Sequence, residues 1–374
     1  MTAPDTTATP SERLSTLLDH SGILICTGSG GVGKTTTAAA LALEAARRGR
    51  RACVVTIDPA KRLADALGLE ELTNEPRCID GDWPGELWAL MLDTKGTFDA
   101  LVVKHAGSTE QAAGILENRF YRNISGALSG TQEYMAMEKL YELHEERDFD
   151  LVVVDTPPTR NALDFLDAPR HLTRFLDHRL YRILTAPTRG IVRAVNVAAQ
   201  AFLHTVSKVV GGEVVGDAIA FFAAFDGMEE GFKERARRVT ALLSDPATSF
   251  VLVASPRKDT VSEASFFAEK LAESGIEVQA LIVNRVHPRF SDASAGAVRE
   301  RATSLEGTDL GSLYANLADF LAMSSNEETN LATLTSRVAP APVVRVPFLS
   351  TDVHDLDGLG TIAEHLFRSR AGVG

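Results

Sequence analysis

The chain has 374 residues, which is long enough for one large α/β core or for two domains. Hydrophobic residues make up 45% and charged residues 24%, a balance typical of globular proteins and not of disordered ones. The net charge is -12, from 50 acidic and 38 basic residues, which argues against a surface that coats nucleic acid. We therefore expect no nucleic-acid partner.

The N-terminus and the cysteines indicate a reduced, cytoplasmic setting. Residues 1–20 contain no apolar core of the kind found in signal peptides, and we predict a disordered arm there. The three cysteines form no C-x-x-C pair, and Cys26 and Cys53 lie in apolar runs where buried free thiols are expected. No uncharged apolar stretch reaches the ~18 residues of a membrane span, and the nearest, residues 194–207, is too short.

Short apolar runs alternate with helical patterns along the chain. Most of these runs are rich in Val, Ile and Leu without polar alternation, which is the pattern of strands buried on both faces of a parallel sheet. The predicted strands are Gly22–Thr27, Ala52–Ile57, Glu86–Asp93, Leu151–Thr156, Phe250–Ala254, Val278–Asn284 and Val343–Val346. The predicted helices between them include Thr36–Arg48, Met135–Arg147 and Ser262–Ser274. This alternation predicts a doubly wound, mostly parallel α/β sheet.

Two long segments do not fit simple crossovers between strands. Residues 97–128 and 168–243 have helical patterns punctuated by Gly and Pro, and they predict a helical subdomain inserted into a domain over residues 21–366, with a tail at 367–374. The second segment holds two apolar patches, at 192–203 and 214–225. These patches either form the ordinary core of the helical subdomain or line a groove for an apolar client.

A glycine-rich loop follows the first predicted strand. Its sequence, Gly28-Ser-Gly-Gly-Val-Gly-Lys-Thr35, matches the phosphate-binding pattern G-x-x-x-x-G-K-[ST], and a predicted strand and helix flank it as the motif requires. The glycines let backbone N–H groups wrap phosphates, and the helix N-terminus adds partial positive charge. The motif predicts an ATP site in which Lys34, a candidate catalytic residue, reaches the β- and γ-phosphates and Thr35 ligates Mg²⁺. The predicted nucleotide-binding residues of this segment are Gly28, Ser29, Gly30, Gly31, Val32, Gly33, Lys34, Thr35 and Thr36.

Polar residues also stand where other predicted strands end. Asp58 is a candidate catalytic residue that orients a water for attack on the γ-phosphate, and a turn-initiating Asp-Pro is the alternative. Asp155 ends the apolar run that begins at Leu151, an arrangement typical of the acid that holds Mg²⁺ through its water shell. Asn284 is placed for recognition of the base, and a strand-terminal turn residue is the alternative.

Three of these segments together resemble a known family. Gly28–Thr37, Thr56–Leu67 and Asp155–Leu166 resemble the P-loop and the two switch loops of the arsenical pump-driving and guided-entry ATPases, which belong to the deviant Walker A class. The resemblance covers roughly residues 22–366. It implies Mg²⁺-dependent ATP hydrolysis by a dimer, with Asp58 positioning the attacking water. It also implies that the nucleotide state opens or closes a helical site for tail-anchored or other apolar membrane-protein clients.

The same resemblance assigns an adenine site. Val283-Asn-Arg285 and Val346-Pro-Phe348 look like the adenine-contacting elements of the family. This adds Asn284 and Pro347 to the predicted nucleotide-binding residues.

Departures from the family pattern bear on the partner. The family normally has lysine at the second position of the P-loop, where it reaches the phosphates of the neighbouring subunit, and this chain has Ser29. We therefore expect a heterodimer with a lysine-bearing family member, as in the paired actinobacterial guided-entry-like ATPases, unless Arg160 supplies a cation in cis. The zinc-binding C-x-x-C pair and the arsenite-binding cysteine clusters of the family are absent from the sequence.

Other classes of function stay open beside the leading hypothesis of a cytoplasmic ATP-hydrolysing dimer with apolar clients. One is the pump-driving subunit of an anion exporter, which needs a membrane partner and a thiol cluster. Another is a positioning ATPase, for which the C-terminal residues 365–374 are too short and mixed to form a tether. The third is a weakly active regulatory subunit of a heterodimeric ATPase, which Ser29 favours. The leading hypothesis leaves room for peripheral contact with a membrane.

Overall fold

The computed structural model describes residues 8–58, 60–124, 131–157, 168, 170, 173–174, 212–225 and 227–368. The chain divides into two compact units. The first unit comprises Met1–Met91, Asp148–Leu163 and Pro246–Gly374, and the second comprises Leu92–Arg147 and Asp164–Asp245. The boundaries proposed from the sequence for the helical subdomain stay a prediction.

The first unit is built on an eight-stranded sheet. Its strands are β1 Ile23–Gly28, β2 Arg51–Thr56, β3 Arg77–Ile79, β4 Glu86–Met91, β5 Leu151–Asp155, β6 Thr248–Ala254, β7 Val278–Val286 and β8 Val343–Pro347. They lie in the order β3-β4-β2-β5-β1-β6-β7-β8, so that β6, β7 and β8 follow one another outward on one side of β1, while β5, β2, β4 and β3 lie on the other side. Neighbouring strands are parallel except for the pair β3 and β4. The predicted α/β fold with a mostly parallel sheet is confirmed.

The central strands are buried along their whole length. Every residue of β1, β5 and β6 is buried, as their apolar sequences without polar alternation predict. The prediction omitted β3, which has only three residues and pairs antiparallel with β4 at the edge of the sheet. A run that short carries no periodic pattern, so sequence inspection does not find it.

Helices cover the sheet of the first unit. They are α1 Pro10–His20, α2 Lys34–Arg47, α3 Arg62–Ala66, α10 Lys258–Glu273, α11 Ala295–Ser304, α12 Asp309–Arg337 and α13 Leu356–Phe367. The alanines of α2 are fully buried in the main hydrophobic core, where small side chains let the helix axis approach the strands closely. This packing fixes the start of α2, and with it the loop after β1.

Residues 10–20 form a helix, so the predicted disordered arm is wrong for that part of the chain. Thr9 and Glu12 form a capping box, in which Thr9 Oγ1 accepts a hydrogen bond from Glu12 N at 3.3 Å and Glu12 Oε2 accepts one from Thr9 N at 2.6 Å. Leu14 and Leu18 lie on one face of the helix and are buried in the core. The prediction rested on polar composition and overlooked this local helix signal.

The second unit is helical in its described residues. Its helices are α4 Thr94–His105, α5 Thr109–Leu116, α6 Arg119–Ile124, α7 Thr131–Tyr141, α8 Gly212–Ala224 and α9 Glu229–Leu243, and a π-helical turn, Glu142–Glu146, follows α7. None of the helices in the described ranges combines the length and the apolar character needed to cross a membrane.

Aromatic side chains form the centre of the second unit. Phe225 of the apolar patch 214–225 lies 5.2 Å from Phe221 and 5.2 Å from Phe232 between ring centroids. Phe221, Phe222 and Phe225 are 6–7% exposed, so these side chains pack as core in this conformation. The other apolar patch, 192–203, lies outside the described residues.

Candidate active site

The loop between β1 and α2 is shaped by glycines that no other residue replaces easily. Gly28 has a φ of +153°, and a Cβ there would overlap the backbone carbonyl of Val253 on β6. Gly33 is the N-cap residue of α2, with a φ of +94° and no side-chain cap. The first turn of α2 therefore receives no side-chain cap from Gly33, and such a helix N-terminus is suited to an anion.

Lys34 is folded into this loop. Its Nζ donates a hydrogen bond to the backbone carbonyl of Ser29 at 2.9 Å, and its side chain is buried. Burial lowers the pKa of Lys34, while the carboxylates of Asp155 and Asp58 oppose that shift. A buried ammonium with two carboxylates nearby and a carbonyl as its partner can exchange that carbonyl for a phosphate oxygen.

Asp155 lies at the end of β5, where three elements of the first unit converge. Its Oδ2 accepts hydrogen bonds from Thr35 Oγ1 at 2.7 Å and from Thr56 Oγ1 at 2.9 Å. Burial raises the pKa of Asp155, against the effect of these two hydroxyls and of Lys34. Its Oδ1 is buried and has no hydrogen-bond partner among the described residues.

This arrangement is suited to a hydrated divalent cation. Buried carboxylate oxygens are normally bonded, so an unsatisfied one indicates a missing water or ion. Mg²⁺ keeps several of its waters and takes few protein oxygens, which matches one threonine hydroxyl beside one carboxylate. The pair Thr35 and Asp155 therefore fits the predicted metal ligands in position and in chemistry.

Asp58 follows β2 and has both carboxylate oxygens engaged. Its Oδ1 accepts a hydrogen bond from Ala60 N at 3.0 Å, which makes Asp58 a turn residue. Its Oδ2 lies 3.1 Å from a guanidinium nitrogen of Arg62. Asp58 is therefore the turn residue of the alternative interpretation, and it also lines the cavity beside the phosphate loop.

One cavity of about 840 Å³ joins these residues. Such a volume is within the roughly 300–1,000 Å³ of small-molecule sites. The residues that line the cavity are Gly31, Gly33, Lys34, Thr35, Thr36, Asp58, Arg62, Asp65, Ala66, Gly68, Leu69, Asp155, Thr156, Arg285, Val353 and His354. The structure thus brings together Lys34, Thr35, Asp58 and Asp155, which the sequence placed in the site.

Several predicted binding residues do not line this cavity: Gly28, Ser29, Gly30, Val32, Asn284 and Pro347. Ser29 is only 1% exposed, and its Oγ donates a hydrogen bond to the carbonyl of Thr260 at 3.3 Å. Pro347 ends β8 and is paired with Val286 of β7. Arg160, the candidate cation in cis, lies outside the described residues.

Asn284 fixes the phosphate loop from the end of β7. Its Nδ2 donates to the carbonyl of Val32 at 2.9 Å, and its Oδ1 accepts from Arg285 N at 2.9 Å. Arg285 has a φ of +61°, which is rare for a residue with a side chain, and one of its guanidinium nitrogens donates to the carbonyl of Gly31 at 3.0 Å. Here the Asn284 amide contacts the loop, and base recognition by this residue stays a prediction.

Of the cavity-lining residues that were not among the predicted site residues, two are arginines, Arg62 and Arg285. Arg62 had a usable signal, because it stands four residues after Asp58 in Asp58-Pro-Ala-Lys-Arg62, the spacing of an ion pair on one helical turn. Arg285 belongs to the segment Val283-Asn-Arg285 that the family resemblance pointed to, but its contact with Gly31 depends on a left-handed backbone, which tertiary contacts set and the sequence does not show.

The close approach of Asn284 to the loop gives a testable expectation. Gly33→Ala is expected to weaken binding of a fluorescent ATP analogue by roughly 5- to 160-fold, since about 1–3 kcal/mol of strain is typical for such a position. A Cβ at Gly33 would overlap Asn284 Nδ2 and would also strain the backbone. Gly49→Ala is the matched control, because Gly49 has a φ of +87° with nothing near its Cβ position.

The double variant Gly33→Ala/Asn284→Ala separates the two causes. It should recover part of the lost affinity, because it removes the side chain that the new methyl group meets. Equal affinity for Gly33→Ala and Gly49→Ala would show that the phosphate loop does not contact the nucleotide at this position.

Comparisons with known proteins identify the family of the chain. A sequence model of the anion-transporting ATPase family matches residues 21–368. ATPase ARSA2 of Chlamydomonas reinhardtii is 26% identical over 284 residues, which cover 74% of this chain and 72% of the relative. ATPase GET3 of Malassezia globosa is 25% identical over 358 residues, 94% of this chain and 93% of the relative. ATPase asna-1 of Caenorhabditis elegans is 24% identical over 303 residues, 77% of this chain and 82% of the relative.

These matches confirm the resemblance drawn from the P-loop and the switch segments, and the family is one of nucleotide-binding hydrolases. The chain therefore belongs to the anion-transporting ATPase family, in which the arsenical pump-driving and guided-entry ATPases are grouped, and it is an ATP hydrolase.

Proposed function

We propose that this ATPase is a Mg²⁺-dependent, nucleotide-switched dimer that handles apolar or membrane-protein clients. The observation that carries the catalytic part is the convergence of Lys34, Thr35, Asp58 and Asp155 on one cavity beside the phosphate loop. Each side chain is of the type that phosphoryl transfer uses, and each stands at the carboxyl end of a strand or at the start of α2.

The roles follow from the charges and the contacts. Lys34 would bind the β- and γ-phosphates. Its hydrogen bond to the carbonyl of Ser29 would break when it does so. Thr35 and Asp155 would hold Mg²⁺, which when bound neutralises charge on the phosphate oxygens. Asp58 would accept a hydrogen bond from the attacking water, because it is a carboxylate beside the phosphate loop and its bond from Ala60 N uses only part of its acceptor capacity.

The client part of the proposal rests on the second unit and on the family. The resemblance of the switch segments to guided-entry ATPases favours a helical site that responds to the γ-phosphate. Phe221, Phe222 and Phe225 supply the apolar surface, and they are buried in the conformation described above. We infer that another nucleotide state exposes α8 and the rest of the segment 190–225 to a client.

A binding experiment tests the switch. The affinity for a fluorescent peptide of about 20 apolar helix-forming residues is measured by anisotropy with a non-hydrolysable ATP analogue and with ADP. We expect the two affinities to differ roughly 5- to 150-fold, the usual range of coupling between two sites. Hydrogen exchange over residues 190–225 should change in the same direction.

Two controls accompany this measurement. Lys34→Ala should show one peptide affinity in all conditions, because it does not bind the nucleotide. A peptide of equal length with charges interspersed should not bind. Equal affinity and equal exchange in both nucleotide states would leave the aromatic cluster as plain core and remove the client function.

The partner is the finer part of the proposal. We infer a dimer with a family member that keeps the P-loop lysine, since Ser29 can offer only a neutral hydroxyl to a neighbouring site. Because Ser29 is buried against Thr260, Ser29→Lys would need the loop to move, and mixing is the better test. Sedimentation and ATPase assays of the chain alone and mixed with such a family member should show a larger species and faster turnover.

The mixing experiment also separates the runner-up function. A weakly active regulatory subunit would raise turnover in the mixture through the partner's site only. In that case Lys34→Ala in this chain would leave the mixed activity unchanged, whereas the leading proposal expects that activity to fall.

A further inference from the structure

Arg62 stands in the same cavity as the phosphate loop and is tied to the residue that orients the water. It is the first residue of α3, four positions after Asp58, and its guanidinium lies 3.1 Å from Asp58 Oδ2. The side chain of Arg62 is 64% exposed, whereas that of Asp58 is 22% exposed. The pair therefore lies at the mouth of the cavity, with the acid on the inner side.

This ion pair is of a kind that a stronger anion displaces. Exposed pairs contribute little to stability, because water and salt compete for both charges. A γ-phosphate carries more charge than one carboxylate, and a guanidinium can donate two parallel hydrogen bonds to phosphate oxygens. The guanidinium of Arg62 is carried by a long, exposed side chain at the start of α3. A change of rotamer can therefore move it from Asp58 to the γ-phosphate.

The other described lysine and arginine side chains that line the cavity donate hydrogen bonds to carbonyls of the phosphate loop. Lys34 is inside the loop, where it serves the β- and γ-phosphates. Arg285 is held by the carbonyl of Gly31 and by its left-handed backbone. Among the cavity-lining cations that the structure describes, Arg62 is the one paired with Asp58.

We propose that Arg62 is a catalytic residue that leaves Asp58 for the γ-phosphate when ATP binds, so that the γ-phosphate itself frees the carboxylate that orients the water. This assignment rests on the proposed ATP site. It holds for the chain alone and beside a lysine-bearing partner, because the cation is supplied in cis.

The hydrolytic step then uses both members of the separated pair. Asp58 accepts a hydrogen bond from the water, whose oxygen forms a bond to the γ-phosphorus. The bond between that phosphorus and the β,γ-bridging oxygen breaks, and ADP leaves with the electron pair. Both hydrogens of the water end on inorganic phosphate as H₂PO₄⁻, which then equilibrates with the solvent. Arg62 stabilises the charge on the γ-phosphoryl oxygens throughout.

After phosphate leaves, the ion pair forms again. With ADP bound there is no γ-phosphate to hold the guanidinium, so Arg62 returns to Asp58 and occupies Oδ2. The pair between Arg62 and Asp58 is thus intact without a γ-phosphate and broken with one. These two arrangements give the segment after β2 two discrete states.

The test compares Arg62→Met with Lys61→Met. Methionine keeps an unbranched stem and removes the charge, and Lys61 is an exposed neighbour that does not line the cavity. Arg62→Met is expected to lower kcat by at least about 100-fold, below the roughly 10³–10⁵ attributed to arginine fingers. It should leave the affinity for ADP nearly unchanged and abolish the preference for a non-hydrolysable ATP analogue over ADP. Arg62→Lys should fall between wild type and Arg62→Met.

A second background separates direct contact from neutralisation of Asp58. In Asp58→Asn the carboxylate that needs neutralising is gone. If Arg62 contacts the γ-phosphate, adding Arg62→Met to this background still lowers the affinity for the ATP analogue and for ADP with aluminium fluoride. If the added change has no effect on either affinity, Arg62 acts only on Asp58 and the proposal is overturned.

The outcomes also separate this proposal from the ATP site. A wild-type chain that hydrolyses ATP, with Arg62→Met indistinguishable from Lys61→Met, overturns the role of Arg62 and leaves the site intact. A wild-type chain that binds no ATP at all overturns both.

Discussion

Lys34→Ala is expected to remove detectable ATP binding while the protein stays folded. Loss of one partner from a buried, hydrogen-bonded charge pair costs about 2–5 kcal/mol, or roughly 30- to 5,000-fold in Kd. Lys34 is buried inside the loop, outside the main hydrophobic core, and its ammonium donates to the carbonyl of Ser29, so alanine removes a desolvated charge and one hydrogen bond. Titration with a fluorescent ATP analogue measures the affinity, and thermal unfolding without nucleotide checks the fold.

Lys258→Ala is the control for this variant. Lys258 is exposed at the start of α10 and does not line the cavity, so its loss should leave binding unchanged. Unchanged affinity in Lys34→Ala would take the lysine out of the nucleotide site and would require another cation for the phosphates.

Asp58→Asn is expected to bind ATP at least as well as the wild type and to hydrolyse it about 10²- to 10⁴-fold more slowly, the usual contribution of a positioned general base. The amide keeps the size of the side chain but accepts hydrogen bonds more weakly than a carboxylate. It also no longer pairs with Arg62, so nothing holds that guanidinium away from the phosphates. Phosphate release under single-turnover conditions measures the rate, separately from nucleotide exchange.

An exposed acid provides the comparison for this variant. Asp82 lies in the segment between β3 and β4 of the same unit, and Asp82→Asn should hydrolyse ATP normally. If Asp58→Asn turns over at the wild-type rate, Asp58 is a turn residue, as its hydrogen bond to Ala60 N already makes it.

The features that the sequence predicted well are those written in consecutive residues. The phosphate loop, the strand before it and the helix after it occupy residues 23–47 without interruption, so motif and context could be read together. The buried strands were found for the same reason, because burial on both faces leaves an unbroken apolar run. Their order in the sheet was not readable beyond the rule that parallel strands alternate with helices.

The features that were missed depend on residues far apart in the chain. The Ser29 hydroxyl donates a hydrogen bond to the carbonyl of Thr260, 231 residues later. The Asn284 amide donates one to the carbonyl of Val32, 252 residues earlier. A P-loop motif therefore names residues whose backbone shapes the loop, but it does not say which side chains face the ligand. Ser29 was assigned to the nucleotide by its position in the motif and Asn284 by its position and the family resemblance, and here both side chains form hydrogen bonds with the protein.

A structure with ADP, Mg²⁺ and aluminium fluoride would show where the nucleotide binds and which side chains contact it. We expect the nucleotide phosphates against the first turn of α2, metal density touching Thr35 Oγ1 beside Asp155, and the fluoride group within reach of Lys34 and Arg62. The hydrogen bond from Lys34 to Ser29 and the pair between Arg62 and Asp58 should both be broken. Nucleotide bound elsewhere, or bound here with Lys34 still on Ser29 and no metal at Thr35, would contradict the assignment of this cavity as the site of ATP hydrolysis.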